Sequence, residues 1–391
     1  LDTSLWSCGA SQSEVSAPGY AGFISRNARA KSCTPAAAVK LRNLAVFFLV
    51  RTREGISSQA GPKISSENNE MGATINNAAP TSRSMGKVCI VTGGSRGFGR
   101  GIALILAKEH GCTVYATARD LGKLQDLADQ ATIECAKLGS EGKVVPCQVD
   151  QKDDAAVKAF VEDVTAKEGK IDLLVNSAFQ GLVAMTPQFG KTFWQKPLSM
   201  YEAEVDNFVR FAYVMSYYVA PVMVKNKSGL ILGISSAGGV IYFADVAYCA
   251  GKAAFDKMHH DMACELREFG VFSMTLYPQA GITENANFPG GDTPCYAGRA
   301  VAALMNASEE DMSQLTGKVI QTREVADKFG FTDVDGKHPD GPFTNPEAVA
   351  GVRKAMRNPP HLNLDSPPID PNGWKSMNAE GFADMFPGYK A

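Results

Sequence analysis

Short apolar runs separated by helical patterns recur from residue 87 onward. Val88, Ile90 and Val91 lie in the run "KVCIV". "CTVYATARD" (112–120), "KVVPCQVD" (143–150), "IDLLVNSA" (171–178), "LILGISS" (230–236) and "VFSMTLYP" (271–278) follow. Short continuous apolar runs of this kind predict strands buried on both faces, as in a parallel sheet. Between them, Ile102, Ile105 and Leu106 share a helical face, with Gly111 as the stop. Ala156, Val157, Phe160, Val161 and Val164 form a second helical stripe. Two longer helices are predicted, over 199–225 and from Tyr248 to about residue 269. Strands alternating with helices predict an α/β fold, a Rossmann-type doubly wound parallel sheet in one domain. Asp150, Asn176, Ser236 and Pro278 fall at carboxyl ends of strands, where such sheets bind ligands.

Residues 1–84 break this pattern. They are rich in Ser, Ala, Asn and Gly, weakly periodic and poor in acids before residue 54. Two readings stay open: an organelle transit peptide, or a non-native translated segment, since the first Met residues are Met71 and Met85. Either predicts disorder, with the folded domain and its C-terminal extension occupying 85–391.

Composition narrows the function classes. The chain has 391 residues, 45% of them hydrophobic, and a net charge of −2, which argues against a general nucleic-acid binder. Nine cysteines without a CxxC pair, and five histidines without ligand spacing, suggest neither a disulfide framework nor a metal site. A reducing compartment is the simpler reading. No apolar run is long enough to predict a transmembrane helix.

Candidate chemistry begins at "TGGSRGFG" (92–99). Glycines at a strand-to-helix turn let backbone approach a phosphate, which the helix N-terminus then attracts. Gly93, Ser95, Arg96, Gly97, Phe98 and Gly99 are the candidate loop residues. Arg119 lies twenty residues past Gly99, at the ribose-reading position. Ala118 fills the slot where an acid would bind the 2′-hydroxyl of NAD. Arg96 and Arg119 suit the 2′-phosphate of NADP instead, so NADP(H) is expected over NAD(H).

In "VAYCAGKAAF" (246–255), Tyr248 and Lys252 stand four apart on one helix face. A nearby ammonium favours phenolate and would draw the tyrosine pKa down, making a usable acid or base. The small residues Cys249, Ala250 and Gly251 would leave room for a cofactor.

"TGGSRGFG", "VNSA" (175–178), "ISS" (234–236) and "YCAGK" (248–252) occur in this order. Together they resemble the short-chain dehydrogenase/reductase family, marked by TGxxxGxG, NNAG, a strand-end Ser and YxxxK. The resemblance covers about 85–340. "FWQKPLSMYE" (193–202) and "LTGKVIQTREVADKFGFTDVDGK" (315–337) are similar to one subgroup of it. It implies that Tyr248 donates a proton to a carbonyl oxygen, that Lys252 tunes Tyr248 and binds the nicotinamide ribose, and that Ser236 bonds the substrate oxygen. It also implies that Asp150 contacts the adenine, Asn176 holds the loop after strand four, and Thr283 reaches the carboxamide. The implied substrate is an apolar carbonyl or alcohol of steroid, retinoid or xenobiotic type. A homodimer or homotetramer is the implied assembly, and the resemblance leaves endoplasmic-reticulum association open.

Three positions depart from the family pattern. NNAG reads Asn176-Ser177-Ala178-Phe179. The expected Pro-Gly reads Pro278-Gln279. The expected helix Asn falls on Phe208, with Asn207 about 100° away on an ideal helix. A non-catalytic NADP(H)-binding sensor or scaffold is the competing reading. Residues 281–304, rich in Gly and Pro, are expected to form a mobile substrate lid.

Overall fold

The computed structural model describes residues 86–357 apart from 244; the expectations for residues 1–84 lie outside that range. Six strands fall where the apolar runs predict them: β1 (Val88–Thr92), β2 (Thr113–Ala118), β3 (Lys143–Gln148), β4 (Leu173–Asn176), β5 (Gly229–Ile234) and β6 (Val271–Tyr277). A two-stranded ribbon, β7 (Ile282–Thr283) and β8 (Ala286–Asn287), follows, and then β9 (Val319–Gln321). All seven strands of the main sheet run parallel in the order β3-β2-β1-β4-β5-β6-β9. β1 and β4 are buried throughout, which is why their sequences carry no polar alternation. Pro146 lies in β3, an edge strand, where a missing N–H costs least.

Helices cover both faces. They are α1 (Gly97–Lys108), α2 (Leu121–Leu138), α3 (Asp154–Glu168), α4 (Gly181–Met185), α5 (Ser199–Tyr201), α6 (Asn207–Asn226), α7 (Val246–Leu266), α8 (Pro294–Met305), α9 (Glu309–Leu315), α10 (Thr322–Phe329) and α11 (Pro346–Arg357). One core joins Cys89, Val91, Val114 and Leu232 to α1, α2 and α8. A second joins Ile90, Leu174 and Ile231 to α3 and α6. Asp120 caps α2 through Lys123 N, Asp153 caps α3, and Asp245 caps α7.

Four features differ from the sequence expectations. α1 is buried on nearly every side over Gly101–Ala107, because α8 packs across it. α8 takes up half of the segment expected to be a lid, so 294–304 is core and only the ribbon side lies near the strand ends. The helix expected over 199–225 is interrupted: a π-helical stretch, Glu202–Asp206, lies between α5 and α6. β9 adds a seventh strand that three residues, Val319–Gln321, did not announce. No described helix is long and apolar enough to cross a membrane.

Candidate active site

Strand order reverses between β1 and β4, and the candidate residues gather at the carboxyl ends of these strands and of β5. Thr92 ends β1. Its hydroxyl donates to Val175 O at 3.3 Å and accepts from Ser177 N (3.0 Å) and Ala178 N (3.1 Å), tying the two strand ends together. Gly93 follows with φ +71°, and a Cβ there would lie 2.8 Å from Ala178 Cα. A Cβ on Gly99 would lie 2.5 Å from Gly93 O. Only glycine satisfies both conditions. Gly99→Ala is therefore expected to destabilise the chain by about 1–3 kcal/mol and to abolish tight nucleotide binding. Urea unfolding and a fluorescence titration check the two halves.

The loop already holds an acidic side chain. Gly97 N donates to a carboxylate oxygen of Glu284 at 2.9 Å, so the loop presents an N–H that an acidic oxygen can take. Thr283 lies against the same loop, 3.7 Å from where a Gly97 Cβ would sit. Its hydroxyl accepts from Ala286 N at 3.2 Å. Arg96 stands at the N-cap of α1, half-buried beside Ser95 and Phe98. Arg119 is exposed at the end of β2, and its carbonyl accepts from Gln148 Nε2 at 2.9 Å. Asp120, its acidic neighbour, is committed to capping α2. Asp150 is exposed after β3, accepting from Lys152 N. Asn176 is buried, donating to Ser216 Oγ at 3.0 Å.

Tyr248 occupies the first turn of α7, and its hydroxyl lies 2.6 Å from Ser236 Oγ. Ser236 Oγ also accepts from Gly238 N at 3.3 Å. Burial pushes the Tyr248 phenol up, against the Ser236 hydrogen bond, which lowers it; Glu204 adds to the rise. This is opposite to the downward shift the Tyr-Lys spacing suggests. Burial is the main cause, and Lys252 does not offset it: its Nζ is 5.7 Å from the Tyr248 ring centre and nearer to Phe208 (4.2 Å) and Phe179 (4.4 Å). Its hydrogen bond goes to Ile234 O at 3.5 Å. Burial draws Lys252 down to about 8, against Asp256 and Glu204. Phe179 and Phe208, two of the departures from the family pattern, thus form one feature: their rings meet at 5.1 Å and flank the same ammonium.

Gln279, the third departure, has no positive φ to need glycine. Its N–H donates to Asp292 at 2.9 Å and its side chain to Gln321 at 2.8 Å. The small residues of α7 also serve the protein itself. Cys249 Sγ faces Ile241 and Phe243, and Gly251 lies against the Glu204 backbone. Sequence reading missed Thr92, Glu204 and a buried ion pair, Lys196–Asp245. That pair ties the segment before α5 to the cap of α7, since Asp245 also accepts from Ala247 N and Tyr248 N.

The glycine loop, its anion-holding N–H and the helix N-terminus fit a nucleotide phosphate. The Ser236–Tyr248–Lys252 group fits proton transfer to or from an oxygen. A family model described as short chain dehydrogenase matches residues 87–288. Dehydrogenase/reductase SDR family member 1 of Mus musculus is 36% identical over 274 residues, covering 64% of this chain and 84% of that protein. The Homo sapiens protein of the same name is 37% identical over the same shares. A crystal structure of a metagenomic short-chain oxidoreductase in complex with NADP is similar with a TM-score of 0.51 and 26% identity. It covers 61% of this chain and 98% of its own.

Proposed function

The chain belongs to the short-chain dehydrogenase/reductase family of oxidoreductases, and from that premise we propose that it interconverts a carbonyl and an alcohol on an apolar small molecule, with NADP(H) as cofactor. The observation that carries this reading is the 2.6 Å contact between Ser236 Oγ and Tyr248 Oη, with Lys252 one turn further along α7. The bound nicotinamide supplies or accepts the hydride. Gly93, Ser95, Arg96, Gly97, Phe98 and Gly99 hold the cofactor's phosphates, with Glu284 giving way to them. Asp150 meets the adenine, Asn176 keeps the β4 end in place, and Thr283 orients the carboxamide. Ser236 donates to the substrate oxygen, and Tyr248 gives that oxygen its proton. Burial keeps Tyr248 protonated at neutral pH, which suits it to the acid's part in reduction. An apolar cluster around Tyr248, including Met185, Phe189, Met200 and Phe288, supports an apolar substrate of steroid, retinoid or xenobiotic type.

The test is a turnover assay over a panel of apolar ketones and alcohols, with a fluorescence titration of both reduced cofactors. NADPH is expected to bind roughly tenfold or more tightly than NADH, the value of a charge-assisted bond. Arg119→Ala should weaken NADPH by a similar factor and leave NADH within twofold. Equal affinity for the two cofactors would overturn the assignment of Arg96 and Arg119 as phosphate readers. No turnover on any substrate, with binding intact, would favour a sensor.

A further inference from the structure

Lys252 is 5% exposed, and its ammonium carries three N–H bonds. Among the described residues one oxygen accepts from it, Ile234 O, at 3.5 Å. Asp256 and Glu204 are the acids that act on it, and among the described residues neither stands within ion-pair distance of it; Asp256 bonds the Tyr277 hydroxyl instead. Aromatic rings fill the rest of its surroundings. Its Nζ lies 4.2 Å from the ring centre of Phe208 and 4.4 Å from that of Phe179, with Tyr248 at 5.7 Å and Phe255 at 5.9 Å. A cation this close to a ring face is attracted by the ring quadrupole, and more strongly where water is excluded.

The two nearest rings are fixed by their own packing. Phe208, 2% exposed, stacks on Phe255 with 4.4 Å between centres and 17° between planes. Phe179 meets Phe208 edge-on at 5.1 Å and Tyr248 at 5.9 Å. Different elements bring them together. Phe179 follows β4, and Phe208 is the second residue of α6, directly after the π-helical stretch. Such a distortion is found mostly at working sites. In this register Phe208 is turned inward, while Asn207 reaches Glu202 at 3.5 Å on the exposed side. The position at which the family pattern expects a polar Asn thus offers Lys252 a ring face.

We propose that Phe179 and Phe208 are positioning residues: their ring faces hold the Lys252 ammonium where a hydrogen-bonding side chain would otherwise hold it, and so fix it on the α7 face that it shares with Tyr248. The proposal rests on the reading of Lys252 as the partner of Tyr248. An ion pair would pin the ammonium to one acceptor. Ring faces fix its place and leave its N–H bonds free to turn toward Tyr248 or the cofactor. Burial draws Lys252 down to about 8. The rings act in the opposite sense, because the quadrupole attracts the ammonium and not the neutral amine. Losing either ring should therefore make Lys252 give up its proton at lower pH and loosen its hold beside Tyr248.

The test is Phe208→Leu in the full chain, beside a variant carrying a trifluorinated phenylalanine at position 208. Leu removes the ring. Fluorine nearly keeps its size and drains the negative charge from its face. In the ligand-free protein, NMR of the Lys252 ε-carbon should show the titration lowered by about one pH unit in Phe208→Leu, and by part of that with the fluorinated ring. In carbonyl reduction kcat should fall by roughly two- to thirtyfold in Phe208→Leu and by less with the fluorinated ring, while the substrate KM stays within about twofold. In the fluorinated variant an unmoved titration overturns the proposal, because the ring then acts by filling space. A moved titration with unchanged turnover overturns it too, because the ring then holds Lys252 without serving the reaction. Should Phe208→Leu fail to fold, the fluorinated variant alone decides by the same two readings. Full turnover in Lys252→Met would instead overturn the parent reading, and the proposal with it.

Discussion

Replacing Tyr248 with Phe is expected to lower turnover by roughly 10²–10⁴-fold, the usual contribution of a positioned acid, while cofactor affinity stays within twofold. The phenol oxygen is the only atom removed. Its single described partner, Ser236 Oγ, keeps the hydrogen bond from Gly238 N. The ring still packs with Phe179 at 5.9 Å and Phe243 at 6.2 Å between centres. Stability should therefore change by no more than about 1 kcal/mol, the net worth of one hydrogen bond. Stopped-flow hydride transfer, cofactor titration and thermal unfolding together check the three parts. A sensor would show no change in any function it has; an enzyme loses the chemical step alone.

Lys252→Met is expected to separate activity from stability. Turnover should fall by roughly 10²-fold or more on the proposed function, in which the Lys252 ammonium serves the same helix face as the acid Tyr248. The fold should be unharmed or stabilised by on the order of 1 kcal/mol at pH 7. Burial depresses the Lys252 pKa from 10.5 to about 8, so in the ligand-free protein desolvation outweighs Asp256 and Glu204. Between about pH 8 and 10.5 the unfolded chain holds the lysine proton and the folded chain has released it, so wild-type stability rises with pH there. Below 8 both states are protonated and the penalty is constant. The Met variant lacks the penalty and this rise. Denaturant unfolding at pH 7 and 9.5 measures the difference, and a variant less stable by several kcal/mol at pH 7 would contradict it.

The six long strands and the glycine loop were legible because each is announced locally, by a continuous apolar run or a cluster of glycines. β9 was not, since three residues carry no period, and its pairing with β6 is set by tertiary contact. The π-helical stretch was invisible for a related reason: "EAEVD" reads as the wet face of an ordinary helix, and only the fold turns Glu204 inward. Ser236 and Tyr248 were readable as a pair from order and spacing, but the height of the phenol's pKa was not. It depends on how deeply the ring is buried and on which aromatic rings hold Lys252. Phe179 and Phe208 lie 29 residues apart and looked like independent losses. Their contact, and their joint hold on Lys252, exists only in three dimensions. The lid expectation failed over 294–304 because Gly and Pro mark helix starts and close helix packing as well as mobile loops. Pro294 opens α8, and Gly298 lets Ile105 approach.

The buried pair of Lys196 and Asp245 also bears on how this chain can be shortened or recombined. Segments inserted after a strand end commonly drift in length without harm to what lies beneath. Here Lys196, in the segment between β4 and α5, pairs with the carboxylate that caps the helix carrying both Tyr248 and Lys252. A deletion taking Lys196 would leave Asp245, 2% exposed, with only helix N–H groups to hold its charge. The segment carrying Lys196 and α7 are therefore one structural unit, and a chimera that replaces either one has to keep an ion-pair partner for the other.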